Sequence, residues 1–189
     1  MYALAPLRSS AAQKIRPVAG IGVLVFPPYS IMNEELFLYE EPGLKRIASF
    51  NPVPVPAFEW IFGDVQSPVQ LIVTARRQEW IKVVYDEAGR EGWLNPKGEG
   101  DFVPYADWLR HTIVHLLPGL HKKYYQLLRS EEGSALGVLT PKDQLKIVKT
   151  KDEWAQVLTA QNQIGWLRWK DEDGRLLVGC AARKGGSRP

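Results

Sequence analysis

Cysteine is nearly absent from these 189 residues. Cys180 stands alone, so neither an intrachain disulfide nor a cysteine-rich metal site can form. It sits in the apolar run LLVGCAA, where a small buried side chain fits better than a reactive thiol. Long apolar runs are missing too: none reaches the roughly 20 residues that span a bilayer. The nearest, from Val18 to Phe26, stops at Pro27-Pro28. Lys14 and Arg16 ahead of it imitate a signal-peptide core, but no small-x-small cleavage site follows, so a strand is expected there.

Patterns that carry chemistry are equally scarce. No phosphate-binding glycine loop, serine elbow or paired-carboxylate arrangement stands out, and neither catalysis nor a cofactor is expected. Among the three histidines, His111 and His115 follow Asp107 at intervals of four, a spacing that on a helix turns all three toward one ion. That row lies opposite the apolar face, no glutamate follows His111, and His121 lies beyond Pro118, so no metal is expected.

Charge is unevenly distributed. The total is +3, yet residues 34–101 carry seven bases against twelve acids, and residues 107–189 fourteen bases against nine acids. An acidic front and a basic rear suit either two solvated surfaces, docking of one half on the other, or an anionic partner for the rear. Nucleic acid is not favoured as that partner. Lys142, Lys146, Lys149, Lys151, Arg168 and Lys170 are interspersed with Asp143, Asp152, Glu153, Asp171, Glu172 and Asp173.

The sequence contains a repeat. From Leu71 to Leu94 and again from Leu145 to Leu167, a leucine precedes the tryptophan of a Glu-Trp pair by nine positions. A Gly-Trp-Leu then follows, placing Trp93 thirteen residues after Trp80 and Trp166 twelve after Trp154. Alternating apolar residues in IKVVY and AQVLT, with turn-rich DEAGRE and AQNQ after them, predict a three-stranded meander in each copy. Gly92 and Gly165, each beside a bulky tryptophan, mark a kink or close backbone approach. Upstream, LYEEPGLKRIASF from Leu38 and LRSEEGSALGVL from Leu128 share an organisation of short apolar stretches around a polar loop. The front loop is longer by about sixteen residues, centred on NPVPVPAFEWIFGDVQSP.

The segment LRSEEGSALGVLTPKDQLKIVKTKDEWAQVLTAQNQIGWLRW resembles a bacterial SH3 domain over its whole length. A first strand ends in Arg-Ser; a long loop, a second strand, a tryptophan-led strand and a closing Gly-Trp strand follow. The front copy departs from this pattern, with Tyr39 replacing the arginine. The expected fold is mainly β: two SH3-like small barrels joined by a helical linker. The expected boundaries are an N-terminal strand or extension over 1–33, a first barrel over 34–103 with its enlarged loop at about 50–67, a linker over 104–124, a second barrel over 125–180 and a flexible basic tail over 181–189. Residues 105–128 supply the helical signal, since Trp108, Leu109, Ile113, Leu116, Leu117 and Leu120 share half a helical wheel before Pro118-Gly119 interrupts it. Barrels this small bury little surface alone, so the halves are expected to touch.

The resemblance implies a ligand groove between the long loop and the hairpin turn of each barrel. It nominates Tyr39, Trp80 and Trp93 in front, and Trp154, Trp166 and Trp169 behind. Core packing is the competing role for each. Pro52, Pro54 and Pro56, followed by Phe58, Trp60 and Phe62, offer a segment to plug the front groove or to extend its strands. By the same resemblance the protein is a non-catalytic binding or scaffolding module. Its partner is a peptide, a peptidoglycan fragment or another protein, and its setting is the bacterial envelope if a leader has been removed, otherwise the cytoplasm. A purely structural module of an envelope assembly, or a nucleic-acid-binding SH3-like barrel, remains open.

Overall fold

The computed structural model describes residues 15–27, 35–50, 58–62 and 69–180. Fourteen strands form two seven-stranded antiparallel sheets. The front sheet contains β1 (Gly22–Phe26), β2 (Leu36–Glu41), β3 (Leu44–Phe50), β4 (Val69–Arg77), β5 (Trp80–Val84), β6 (Glu91–Leu94) and β7 (Asp101–Pro104). The rear sheet contains β8 (Ile113–Leu116), β9 (Gln126–Leu128), β10 (Ala135–Val138), β11 (Leu145–Lys151), β12 (Trp154–Thr159), β13 (Ile164–Arg168) and β14 (Val178–Cys180). The spatial orders are β3-β2-β6-β5-β4-β1-β7 and β10-β9-β13-β12-β11-β8-β14. Shifted by seven, the second order is the first.

The duplication therefore covers seven strands per copy, more than the meander legible in the sequence. Its irregularities are duplicated as well. Thr74 is the extra residue between the pairs Val73–Val83 and Ala75–Lys82, and Val148 between Ile147–Val157 and Lys149–Gln156. Ile47 and Leu136 are likewise extra opposite Leu38–Tyr39 and Leu127–Leu128. Bulges bend a strand at a fixed point, and paired bulges give both sheets the same bends. The tight turns before Trp80 and Trp154 match too: Gln78 and Asp152 both adopt positive φ, 55° and 50°.

Tyr39 pairs with Trp93 and Leu128 with Trp166, so Tyr39 occupies the place of Leu128 rather than that of an arginine. Among the described residues neither sheet is closed by hydrogen bonds into the expected barrel: β3 and β7, and β10 and β14, are sheet edges.

The glycines of the two Gly-Trp pairs have a steric cause. A Cβ on Gly165 would lie 2.6 Å from Leu127 Cγ and 2.9 Å from the Leu128 carbonyl oxygen. On Gly92 it would lie 3.2 Å from Leu38 Cβ. The same leucine thus crosses over the same glycine in both sheets.

The front core is drawn from the front sheet's own strands: Leu24, Phe26, Leu36, Leu38, Leu71, Val73, Ile81, Val83 and Leu94. A second cluster fuses the rear core (Val114, Leu116, Leu127, Leu145, Ile147, Val157 and Leu167) to Val23 and Ile72 of the front sheet. It also takes in Phe58, Ile61 and Phe62 from the front insertion, and Tyr105, Trp108 and Leu109 between the sheets. The halves touch, through apolar contact.

The helical linker is much shorter than expected. Helix α2 covers only Tyr105–Arg110, and β8 starts three residues later; Lys122–Tyr125 is a single 3-10 turn. In β8, Val114 and Leu116 face inward while Ile113 is exposed and His115 half-buried, a period of two. β-branched Ile113 and Val114 suit this strand better than a helix. The strand expected between Val18 and Phe26 forms as β1, and it is an inner strand of the front sheet between β4 and β7.

The front insertion contributes helix α1 (Glu59–Phe62), which packs on β14 of the rear sheet. Its described part is docked between the halves, not in the front groove; Pro52, Pro54, Pro56 and the tail over 181–189 lie outside the described residues. A strap at residues 16–19 completes the contact. Ala19 N–H donates to Gly174 at 2.8 Å, and Leu176 N–H donates to Pro17 at 3.0 Å. Arg16 pairs with buried Asp171 at 2.8 Å.

Candidate ligand-binding site

The six nominated aromatic residues separate into three groups. Trp166 on β13 and Trp154 at the start of β12 come together with Ser130, Glu131 and Glu132, from the loop joining β9 and β10, around an open pocket of about 360 Å³. Trp154 Cα is paired with Arg168 and Trp166 with Leu128, so adjoining strands hold the two rings on one face of the sheet. Trp154 is 9% exposed and Trp166 half-buried. The Arg168 guanidinium lies 4.6 Å from the Trp154 ring centre and the Lys149 ammonium 5.1 Å from that of Trp166.

The front aromatics pack on one another instead. Tyr39 meets Trp80 edge to face, ring centres 5.3 Å apart, and Trp93 is buried beside Tyr39 on the neighbouring strand. The β2–β3 hairpin is zipped to a tight Pro42-Gly43 turn, close enough that a Cβ on Gly43 would touch Trp80 at 3.8 Å. Pro42 and Gly43 stand where the rear loop has Glu131 and Glu132.

Trp169 belongs to neither groove. Its indole N–H donates to the Asp152 carbonyl at 2.8 Å, and its ring leans on Tyr105 at 5.2 Å. It packs one half against the other. The sequence held a cue: Trp169 lies an odd number of residues from Trp166, which along a strand reverses the face.

The chain matches no known protein-family model and no curated protein.

Other chemistry-bearing residues are placed outside the pocket. The Asp107–His111–His115 row dissolves, because His111 ends α2 and His115 lies on β8, where burial holds its imidazole below the ordinary pKa. Among the described residues no three metal-ligating side chains gather. Cys180 is pushed up to about 12 by burial, against the pull of a hydrogen bond from Gln70, so its thiol stays protonated at neutral pH. Gln70 also accepts from the Trp108 indole at 2.6 Å. Tyr105, with its hydroxyl buried and unpartnered, is raised by the same desolvation. These groups fasten the two halves together. Among the described residues no helix is long and apolar enough to cross a membrane.

Sequence reasoning named Trp154 and Trp166 but did not nominate Glu131 and Glu132. Their involvement depends on how the loop is folded back over the sheet. Gly133 tucks against Ser130, donating its N–H to the Ser130 carbonyl at 3.1 Å, and Arg129 N–H reaches Ser134 at 2.9 Å.

Proposed function

We propose that the protein is a non-catalytic binding module made of two SH3-like units, and that its rear unit carries the ligand site. The observation that supports this most is the pocket between the β9–β10 loop and the Trp154–Trp166 face, where the SH3 resemblance puts a peptide groove. Two rigid indoles provide contact area at low entropic cost. The front unit serves as scaffold: its equivalent surface is filled by its own Tyr39 and Trp80. Peptides or peptidoglycan fragments are the candidate ligands.

The test is a tryptophan-fluorescence titration of the full chain with peptidoglycan fragments and with peptides, repeated on Trp166→Leu. Binding predicts a saturable change that the substitution abolishes. A response that survives in Trp166→Leu places the site elsewhere, and a flat titration with every ligand favours a purely structural module.

A further inference from the structure

The wall of the rear pocket is chemically lopsided, and, resting on the binding reading above, this specifies the occupant. Its lining is two indoles, the Ser130 hydroxyl and the carboxylates of Glu131 and Glu132, with no basic side chain among them. Cations already seek its rim: Arg168 covers Trp154, Lys149 covers Trp166, and Lys151 engages Glu131 through both oxygens at 2.7 and 3.0 Å. Glu132 differs from its neighbour. It is exposed and makes no hydrogen bond or ion pair among the described residues.

An aromatic face beside an uncommitted carboxylate complements an ammonium or guanidinium group carried on an aliphatic stem. An anionic ligand would meet the uncompensated like charge of Glu132 in the same wall. We propose that the pocket holds a cationic side chain of a peptide, a lysine, arginine or other diamino acid. Its charge lies against Glu132 and its methylenes lie along Trp166, displacing Lys149 from that ring. The front unit lacks this specificity because Pro42 and Gly43 replace both acids.

The probe is an N-acetylated, C-amidated Ala-Lys-Ala peptide, with its Nε-acetyllysine form as the uncharged comparison, titrated into the full chain while tryptophan fluorescence is followed. The lysine form is expected to bind about tenfold tighter. Glu132→Gln is expected to shrink that preference to about twofold or less, with the thermal midpoint unchanged because the Glu132 side chain has no partner to lose. Equal affinity for the two peptides, an undiminished preference in Glu132→Gln, or no binding of the lysine peptide would each overturn the proposal. Amine-free peptidoglycan fragments that bind through Trp166 while lysine confers no advantage would sink this specificity and leave the binding reading standing; silence toward every ligand would sink both.

Discussion

The two halves share a strand order, two bulges, a strained turn residue and a leucine laid over a glycine, yet in one half the strand tryptophans line a pocket and in the other Trp80 packs on Tyr39. Their frameworks agree where apolar pattern and backbone geometry decide. They part at one loop, where Pro-Gly zips the front hairpin shut against Trp80 while Glu-Glu leaves the rear loop standing over Trp154 and Trp166. Framework and pocket lining thus depend on different residues, and the two copies are separated by this loop together with the adjoining strand position, Tyr39 in front and Leu128 behind.

The sharpest way to break the equivalence is to add one methyl group at the shared glycine. Gly165→Ala meets the Leu128 backbone oxygen as well as Leu127, and is expected to cost about 3 kcal/mol in denaturant unfolding. Gly92→Ala meets only side-chain atoms at 3.2 Å or more, which can yield, and is expected to cost about 1 kcal/mol. Equal costs would mean that the two copies do not share this packing.

Next in size is the strap. Asp171 accepts from the Asp173 and Arg175 N–H groups at 3.1 and 2.8 Å and pairs with Arg16. Asp171→Ala leaves those donors and the Arg16 charge without a partner, and should cost about 2 kcal/mol. Arg16→Ala, which spares the rear loop's own bonds, should cost less. The reverse ranking in thermal melts would contradict the assignment.

Grafting the front turn onto the rear, Glu131→Pro with Glu132→Gly, should lower ligand affinity about tenfold, roughly 1.4 kcal/mol, and reduce quencher access to Trp166. An unchanged affinity would separate the loop from the site.

The smallest expected effect is electrostatic and confined to the rear half. Glu172 accepts from the Tyr124 hydroxyl and from Lys123 at 3.0 Å, which holds its carboxyl down at about 2. A depressed folded pKa gives stability that is present above the ordinary carboxylate range and lost as pH falls toward 2. Because the group is exposed, the contribution should stay below about 1 kcal/mol and shrink with salt. Glu172→Gln should flatten the acid limb of the stability curve over that window; an unaltered limb would show that other carboxylates govern it.

Much of this was readable in advance. The Glu-Trp and Gly-Trp spacings identified β4–β6 and β11–β13 as copies because β5, β6, β12 and β13 each carry a tryptophan, and β6 and β13 a steric glycine as well, while β4 and β11 are fixed only by a leucine nine positions before the first tryptophan. The equivalence of β1 with β8 and of β7 with β14 was invisible: GVLVF and IVHL, or DFVP and VGC, share no marker residue, so nothing in them records common register. The helical misreading of residues 105–128 arose because a six-residue helix and the strand after it both point apolar residues at one core, and their combined spacing mimics a longer wheel. Trp154 and Trp166 could be nominated from the sequence, whereas Glu131 and Glu132 come to lie beside them in the pocket wall only because the loop folds across the sheet.

The strap ties Arg16 to Leu176 and Arg175 across 160 and 159 positions of chain. A ribosome must therefore deliver some 160 residues beyond Arg16 before that side chain finds its partners, so this clasp can fasten only after the framework around it exists. Assembly should finish with a late, slow seam, and a rear fragment expressed by itself would lose the stitching that the opening residues supply.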